Sequence, residues 1–258
     1  YHMEAGNRCF DANVPEEINR RLVDHTAEFN LAYTEHARRN LLAEGLHPRR
    51  VIVTGSPMTE VLEQHADAIE ASTALTDLGV EPGQYFLVSA HREENVDSPE
   101  RLRALLGCLN AVASEWQLPV LVSTHPRTRK RLEQVQDTPI SEIARFHEPF
   151  GFLDYNRLQM SAACVLSDSG TIAEESTILG FPAVTLRSSI ERPEALDTGA
   201  ITMTDLDPAA VLRGIRFAMS REDLPERPAD YRITNTSERV VNFILSTAFQ
   251  HEFWSGLR

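Results

Sequence analysis

Ala163-Cys164-Val165-Leu166-Ser167-Asp168-Ser169-Gly170-Thr171-Ile172-Ala173-Glu174-Glu175 is the stretch on which the reading of this chain turns. An apolar run too short for a helix stops at a carboxylate. It passes through hydroxyl and glycine residues and reopens into a helical pattern. That is a strand, a tight turn and a helix start, with Thr171 and Glu174 spaced as a capping box. The leading N–H groups of such a helix have no intrahelical acceptor, and the positive end of its dipole adds to them. The turn is therefore a ready phosphate site. An ordinary helix cap is the other reading of the same residues. Glu175, beside a capping acid, is harder to explain by structure alone.

Four more apolar runs break off in the same way. Tyr85-Phe86-Leu87-Val88-Ser89-Ala90 runs into His91-Arg92-Glu93-Glu94-Asn95, and Leu118 to Thr124 into His125-Pro126-Arg127. Ala144-Arg145-Phe146 leads to His147-Glu148, and Pro182 to Arg187 leads to Ser188, Ser189, Glu191 and Arg192. Helical patterns lie between several of them; in Arg101 to Trp116, Leu102, Leu105, Leu106, Leu109 and Val112 recur at helical spacing. The runs thus read as strands of a parallel sheet, and ligands of open α/β sheets bind beyond the carboxyl ends of the strands. The polar clusters would gather there, as in an enzyme with an anionic substrate.

Around this block the chain divides into further parts. Residues 1–70 hold a helix from Pro15-Glu16-Glu17 through Arg20, a strand over Asn30 to Tyr33, a helix over Glu35 to Gly45 and a strand at Val51-Ile52-Val53. The stretch Ala66 to Gly83 has few large apolar residues and reads as a linker, placed at 71–84. The strand-rich block runs over 85–228, includes a helix at Pro208 to Ser220 and closes on a two-proline break at Leu224 to Pro228. In the remainder, 229–258, Ser237 to Phe253 reads as one amphipathic helix whose Val240, Val241, Ile244, Leu245, Phe249 and Phe253 need a partner surface.

The formal net charge of −13 excludes a broad electrostatic footprint for nucleic acid, although local arginines can still hold a small anion. Three cysteines without ligand spacing point to a reduced, cytoplasmic compartment. No apolar stretch is long enough to span a bilayer. No G-x-G-x-x-G fingerprint and no convincing metal spacing occur, so neither a cofactor nor a catalytic metal is expected.

His91-Arg92 and His125…Arg127 stand at equivalent strand ends, and arginine suits bidentate phosphate recognition. A lone histidine is usually structural; two in this pattern favour function. Glu16 and Glu17 are explained by a helix start. Glu4, in His2-Met3-Glu4-Ala5-Gly6, is not, and a buried carboxylate there would have the raised pKa of a general acid or base.

Taken together, His2-Met3-Glu4-Ala5-Gly6, Pro15-Glu16-Glu17-Ile18-Asn19-Arg20, Ala90-His91-Arg92-Glu93-Glu94-Asn95, Asp168-Ser169-Gly170 with Glu174-Glu175, and Glu191-Arg192-Pro193-Glu194 resemble the non-hydrolysing UDP-N-acetylglucosamine 2-epimerase family. The resemblance covers almost the whole chain, which begins about a third of the way into the family's pattern. It implies an α/β fold of two Rossmann-like domains in the GT-B arrangement, the first incomplete, with a cleft between them, a homodimer, and a final helix crossing back onto the first domain. It implies that Glu4 and Glu16 transfer protons and that His91 is catalytic. Ser169, Gly170 and Glu175 match the nucleotide site, with Glu175 on the ribose hydroxyls. Arg92, His125 and Arg192 match substrate-binding positions; in some members Arg92 and His125 contact a second, activating nucleotide sugar.

Asn7-Arg8-Cys9-Phe10-Asp11 and Arg192 to Asp197 look more like a branch acting on modified sugars of bacterial surface polysaccharides, among them UDP-linked 2,3-diacetamido uronic acids and 6-deoxy-N-acetyl sugars. The implied reaction inverts C2 by expelling UDP to give a glycal and adding it back. Two rivals remain: a GT-B glycosyltransferase, and a fragment that binds UDP without turning it over.

Overall fold

A computed structural model describes residues 1–12, 14–223 and 226–255 of the chain. The chain forms two compact units: unit 1 is Tyr1–Gln64, Ser189–Glu194 and Arg227–Arg258, and unit 2 is His65–Ser188 and Ala195–Glu226. Leu224 and Pro225, half of the expected two-proline break, lie outside the described residues.

Unit 1 is built on three parallel strands, β1 (His2–Met3), β2 (Asn30–Ala32) and β3 (Val51–Val53), in the order β1-β2-β3. Two helices connect them. Pro15–Thr26 has proline at its start and Glu16 and Glu17 in its first turn. Glu35–Ala43 is capped by Thr34, whose hydroxyl accepts from the Ala37 N–H, and is followed by Gly45 at φ +91°. Ala5, Leu41, Leu46 and Val51 form one apolar cluster, and Phe29, Leu31 and Val240 another.

The expected single helix over Ser237 to Phe253 is three pieces: Thr236–Thr247, a 3₁₀ turn at Ala248–Gln250 and His251–Ser255. Thr247 marks the break. Its hydroxyl bonds back to the Phe243 carbonyl at 2.7 Å and meets the Tyr1 hydroxyl at 2.7 Å, a local alternative to continued helix. Val240, Phe243 and Ile244, with Trp254 beyond the break, pack with Phe29 and Leu31; Val241, Leu245, Phe249 and Phe253 are exposed.

Unit 2 carries six parallel strands: β4 (Phe86–Ser89), β5 (Val120–Ser123), β6 (Ala144–His147), β7 (Cys164–Ser167), β8 (Ala183–Thr185) and β9 (Ile201–Met203). Their spatial order is β6-β5-β4-β7-β8-β9. The chain steps outward from β4 to β6, returns to lay β7 beside β4, and steps outward the other way. The reversal falls between β4 and β7, the switch point at which open α/β sheets bind ligands. Register aligns Ser123, Ser89, Ser167 and Thr185 at the carboxyl ends of four adjacent strands.

The helices Pro99–Trp116 and Pro208–Met219 cover this sheet with Leu102, Leu105, Leu109, Val112, Val211 and Ile215 against Phe86, Val88, Val122, Leu166 and Val184. Each such side chain contributes about 1.5–3 kcal/mol when fully buried. The segment expected as a linker holds the helices Ala66–Glu70 and Ala74–Leu78. Ile69, Ala74 and Val80 are buried in it, and Ser72 donates to Asp154 at 2.6 Å. It is therefore a packed part of unit 2.

Candidate active site

Unit 2 gathers its chemistry at the switch point. Asp168, the first residue after β7, is fully enclosed. It accepts from the His91 N–H at 3.0 and 3.1 Å, from the Arg92 N–H at 3.0 Å and from the Asn95 amide at 3.0 Å. The His91 Nδ1 stands 3.4 Å from the same carboxylate. Asp168 thereby ties the loop after β4 to the loop after β7. Its backbone carbonyl accepts from Arg92 Nε at 2.9 Å, which brings the guanidinium over the turn: Nη2 lies 3.5 Å from where a Cβ on Gly170 would be.

The hydroxyls of the turn form a chain. Ser169 N–H donates to Ser167 Oγ at 3.0 Å, Ser169 and Thr171 hydroxyls meet at 2.9 Å, and Thr171 Oγ1 donates to Glu175 Oε1 at 2.7 Å. The other Glu175 oxygen accepts from the Gln159 amide at 2.7 Å. The expected capping box is not formed. Thr171 has helical dihedrals (φ −86°, ψ −13°) and no side-chain cap bond, so the Glu174 N–H donates to the Thr171 carbonyl instead, while Glu174 itself is buried. Beneath the turn, Tyr155 hydrogen-bonds Ser89 and Ser167; burial, with Glu175 nearby, pushes its phenol above the usual range.

One strand further on, His125 is exposed and caps the helix Pro126–Leu132, its Nδ1 accepting from the Arg127 N–H at 3.2 Å. Arg127 pairs with Glu93 and Asp97, so this second histidine–arginine pair is tied to the loop after β4. His147, at the end of edge strand β6, has its imidazole pulled below the usual range by burial and by Arg145.

Unit 1 places Glu4 just past β1, at φ +59°. The carboxylate is not the buried, unpaired group anticipated: its side chain is 44% exposed, pairs with the Arg192 guanidinium and accepts from the Asn7 amide at 3.1 Å. The turn that displays it depends on Gly6, at φ +85°, where a Cβ would stand 2.3 Å from the Ala37 carbonyl oxygen. Glu16 is exposed in the first turn of Pro15–Thr26. Its neighbour Glu17 is buried, accepting from the Cys9 N–H at 2.9 Å and from Arg21. Arg20 reaches Glu191 at 3.5 Å.

Glu4 and Arg192 are thus joined within unit 1, and His91, Arg92, Ser169, Gly170 and Glu175 within unit 2. The roles of Asp168, Asn95, Gln159 and Arg20 were not legible. Asp168 and Asn95 stood in motifs already noted, but a hydrogen bond spanning more than seventy residues leaves no local mark. Gln159 carried no signal.

The profile of the UDP-N-acetylglucosamine 2-epimerase family matches residues 1–245. The chain belongs to this family. A solved UDP-N-acetylglucosamine 2-epimerase from Rickettsia bellii is 40% identical with a TM-score of 0.86, over 97% of this chain and 68% of that one. The Methanocaldococcus jannaschii UDP-GlcNAc 2-epimerase, solved in complex with UDP-GlcNAc and UDP, is 31% identical with a TM-score of 0.88, over 95% and 68%. A UDP-2,3-diacetamido-2,3-dideoxy-D-glucuronate 2-epimerase from Pseudomonas aeruginosa is 29% identical over 85% of this chain and 60% of its own length. As a member of the 2-epimerase family the chain is of an enzyme class acting on sugars, and it spans about two thirds of the two solved structures. Among the described residues no helix is long and apolar enough to cross a membrane.

Proposed function

We propose that this chain inverts C2 of a UDP-linked 2-acetamido sugar by eliminating UDP to a glycal and adding it back. The C2 hydrogen has no neighbouring carbonyl, so deprotonation alone is prohibitively slow. When a carboxylate takes that proton as the C1–O bond to UDP breaks, the electron pair becomes the C1=C2 double bond. Protonation of C2 on the opposite face and return of UDP to C1 give the epimer. The route needs donors for the departing diphosphate and acid/base groups near C2.

One observation supports this reading above the rest. At the reversal of strand order, a Ser169-Gly170-Thr171 turn opening the helix Ile172–Leu179 carries the Arg92 guanidinium over its glycine. Such a turn suits a diphosphate, with Ser169, Gly170 and Arg92 as its cradle and Glu175 on the ribose hydroxyls. Glu4 and Glu16 are the candidate acid/base pair and His91 a third catalytic group, its backbone N–H bound to Asp168 and its Nδ1 3.4 Å from the same carboxylate; Arg192 and His125 complete the substrate set. The reading extends to a homodimeric cytoplasmic enzyme of bacterial surface-polysaccharide synthesis, O-antigen among them. Its sugar is UDP-N-acetylglucosamine or a modified relative such as the diacetamido uronic acid.

Incubating candidate UDP-sugars with the protein in D₂O and following C2 by NMR tests the reaction. Deuterium entering C2, with free UDP and glycal as intermediates, is the expected result. Epimer formed without deuterium would exclude the elimination route, and transfer of the sugar to an acceptor would mark a glycosyltransferase.

A further inference from the structure

We propose that Gln159 and Thr171 are positioning residues that aim the Glu175 carboxylate at a vicinal diol, so that unit 2 selects a ribonucleoside diphosphate over its deoxy counterparts. This rests on the reading of unit 2 as a UDP-sugar site and adds to it two residues with a stated task.

A carboxylate offers about four acceptor positions, two on each oxygen. On Glu175 the Thr171 hydroxyl takes one on Oε1 at 2.7 Å, and the Gln159 amide takes one on Oε2 at 2.7 Å. One position remains on each oxygen. Two adjacent acceptors, fixed in orientation from both sides, match two adjacent hydroxyls such as the 2′ and 3′ groups of a ribose. Without the two donors the half-buried side chain could turn about its last torsion, which is broad and roughly two-fold.

Gln159 is a costly residue for a purely packing role. It is fully enclosed on the helix Phe152–Ser161, and its Oε1 meets no donor among the described residues. Leucine or methionine would fill the space without an orphaned acceptor, and an unsatisfied buried polar atom costs stability. What the amide provides in return is its bond to Glu175. Thr171 is held in turn by the Ser169 hydroxyl at 2.9 Å, so the carboxylate is braced through the same turn that would grip the diphosphate.

Calorimetric titration of the chain with UDP and with 2′,3′-dideoxy-UDP is the test, on wild type, Gln159→Met and Thr171→Val. Wild type should favour UDP by about tenfold or more, the value of a charge-assisted hydrogen bond. Gln159→Met keeps the volume without the amide. It should cut that preference to about threefold or less while leaving dideoxy-UDP affinity within about twofold. Equal weakening of both ligands would show a merely structural role, and an unchanged preference would show none; either overturns the proposal. Should Gln159→Met lose its thermal unfolding transition, Thr171→Val is expected to give the same collapse and decides the matter. Wild type that binds UDP without preferring it would remove Glu175 from the ribose. Wild type that binds neither nucleotide would sink the parent reading itself.

Discussion

Asp24 in unit 1 and Asp168 in unit 2 are both fully enclosed, and they are held in opposite ways. Asp24 faces a guanidinium, that of Arg8, also enclosed, at 2.7 Å, with the His2 Nδ1 at 2.7 Å and the Gly6 N–H at 3.2 Å. Arg8 continues to Glu44 at 2.7 Å, so the network bolts the loop after β1 to both connecting helices. Asp168 takes its bonds from two backbone N–H groups and an amide, with His91 at 3.4 Å. Pairing charge with charge spends an arginine on structure, whereas pairing charge with dipoles leaves the Arg92 guanidinium at the turn. The first arrangement makes an anchor, and the second leaves a guanidinium beside the turn proposed to hold the diphosphate.

The largest break in this comparison is expected at Arg8→Met. It leaves two carboxylates facing the gap, and removing one partner of a buried pair costs about 3–5 kcal/mol. Urea unfolding followed through Trp254 fluorescence, unit 1, should shift far more than through Trp116, unit 2. Asp168→Asn should act the other way round. It turns one acceptor into a donor that faces N–H groups, at about 1–3 kcal/mol, and moves the Trp116 transition. The same variant should lose epimerisation, because His91 and Arg92 lose their common tether; retained turnover would reduce Asp168 to a loop clasp.

Acid provides a third, smaller effect. Hydrogen bonding to Arg8 holds the Glu44 carboxyl down at about 2, despite opposing burial, with His25 helping. A depressed carboxylate stabilises the fold fully above its unfolded value, 4.5, and that contribution fades as pH falls toward 2. Circular dichroism between these limits should show unit 1 weakening, and Glu44→Gln should flatten that part of the profile. The smallest change is Gly170→Ala. Its Cβ would meet only Arg92 Nη2, at 3.5 Å, so stability should move by less than about 0.5 kcal/mol. A larger loss would mean the turn is built for packing.

Five strands of unit 2 were legible because parallel strands buried on both faces read as short apolar runs, as in Phe86–Ser89 and Cys164–Ser167, whereas β9 (Ile201–Met203), at the sheet edge with Met203 exposed, was not. The helix Pro99–Trp116 was legible from its spacing over Arg101 to Trp116, missing only the Ser98 cap, Pro99 and Glu100. Three local readings failed for tertiary reasons. Thr171 and Glu174 have the spacing of a capping box, but Thr171 takes helical dihedrals and spends its hydroxyl on Glu175. Residues 71–84 are poor in large side chains, yet Ala74 and Val80 are enough to dock them. Ser237 to Phe253 keeps a helical stripe on paper, but only one column of it finds a surface.

By itself the sequence determined that hydroxyls, histidines and arginines would stand at strand ends, because alternation of apolar run and polar break is a local property. It also carried the motifs that mark the family. Only the tertiary structure decided that β7 lies beside β4, and hence that Asp168 meets His91 and Arg92 and that the Arg92 guanidinium hangs over Gly170. It likewise decided that Glu4 is displayed and paired with Arg192. Strand order and long-range hydrogen bonds are set by how the whole core closes, and no window of neighbouring residues contains that information.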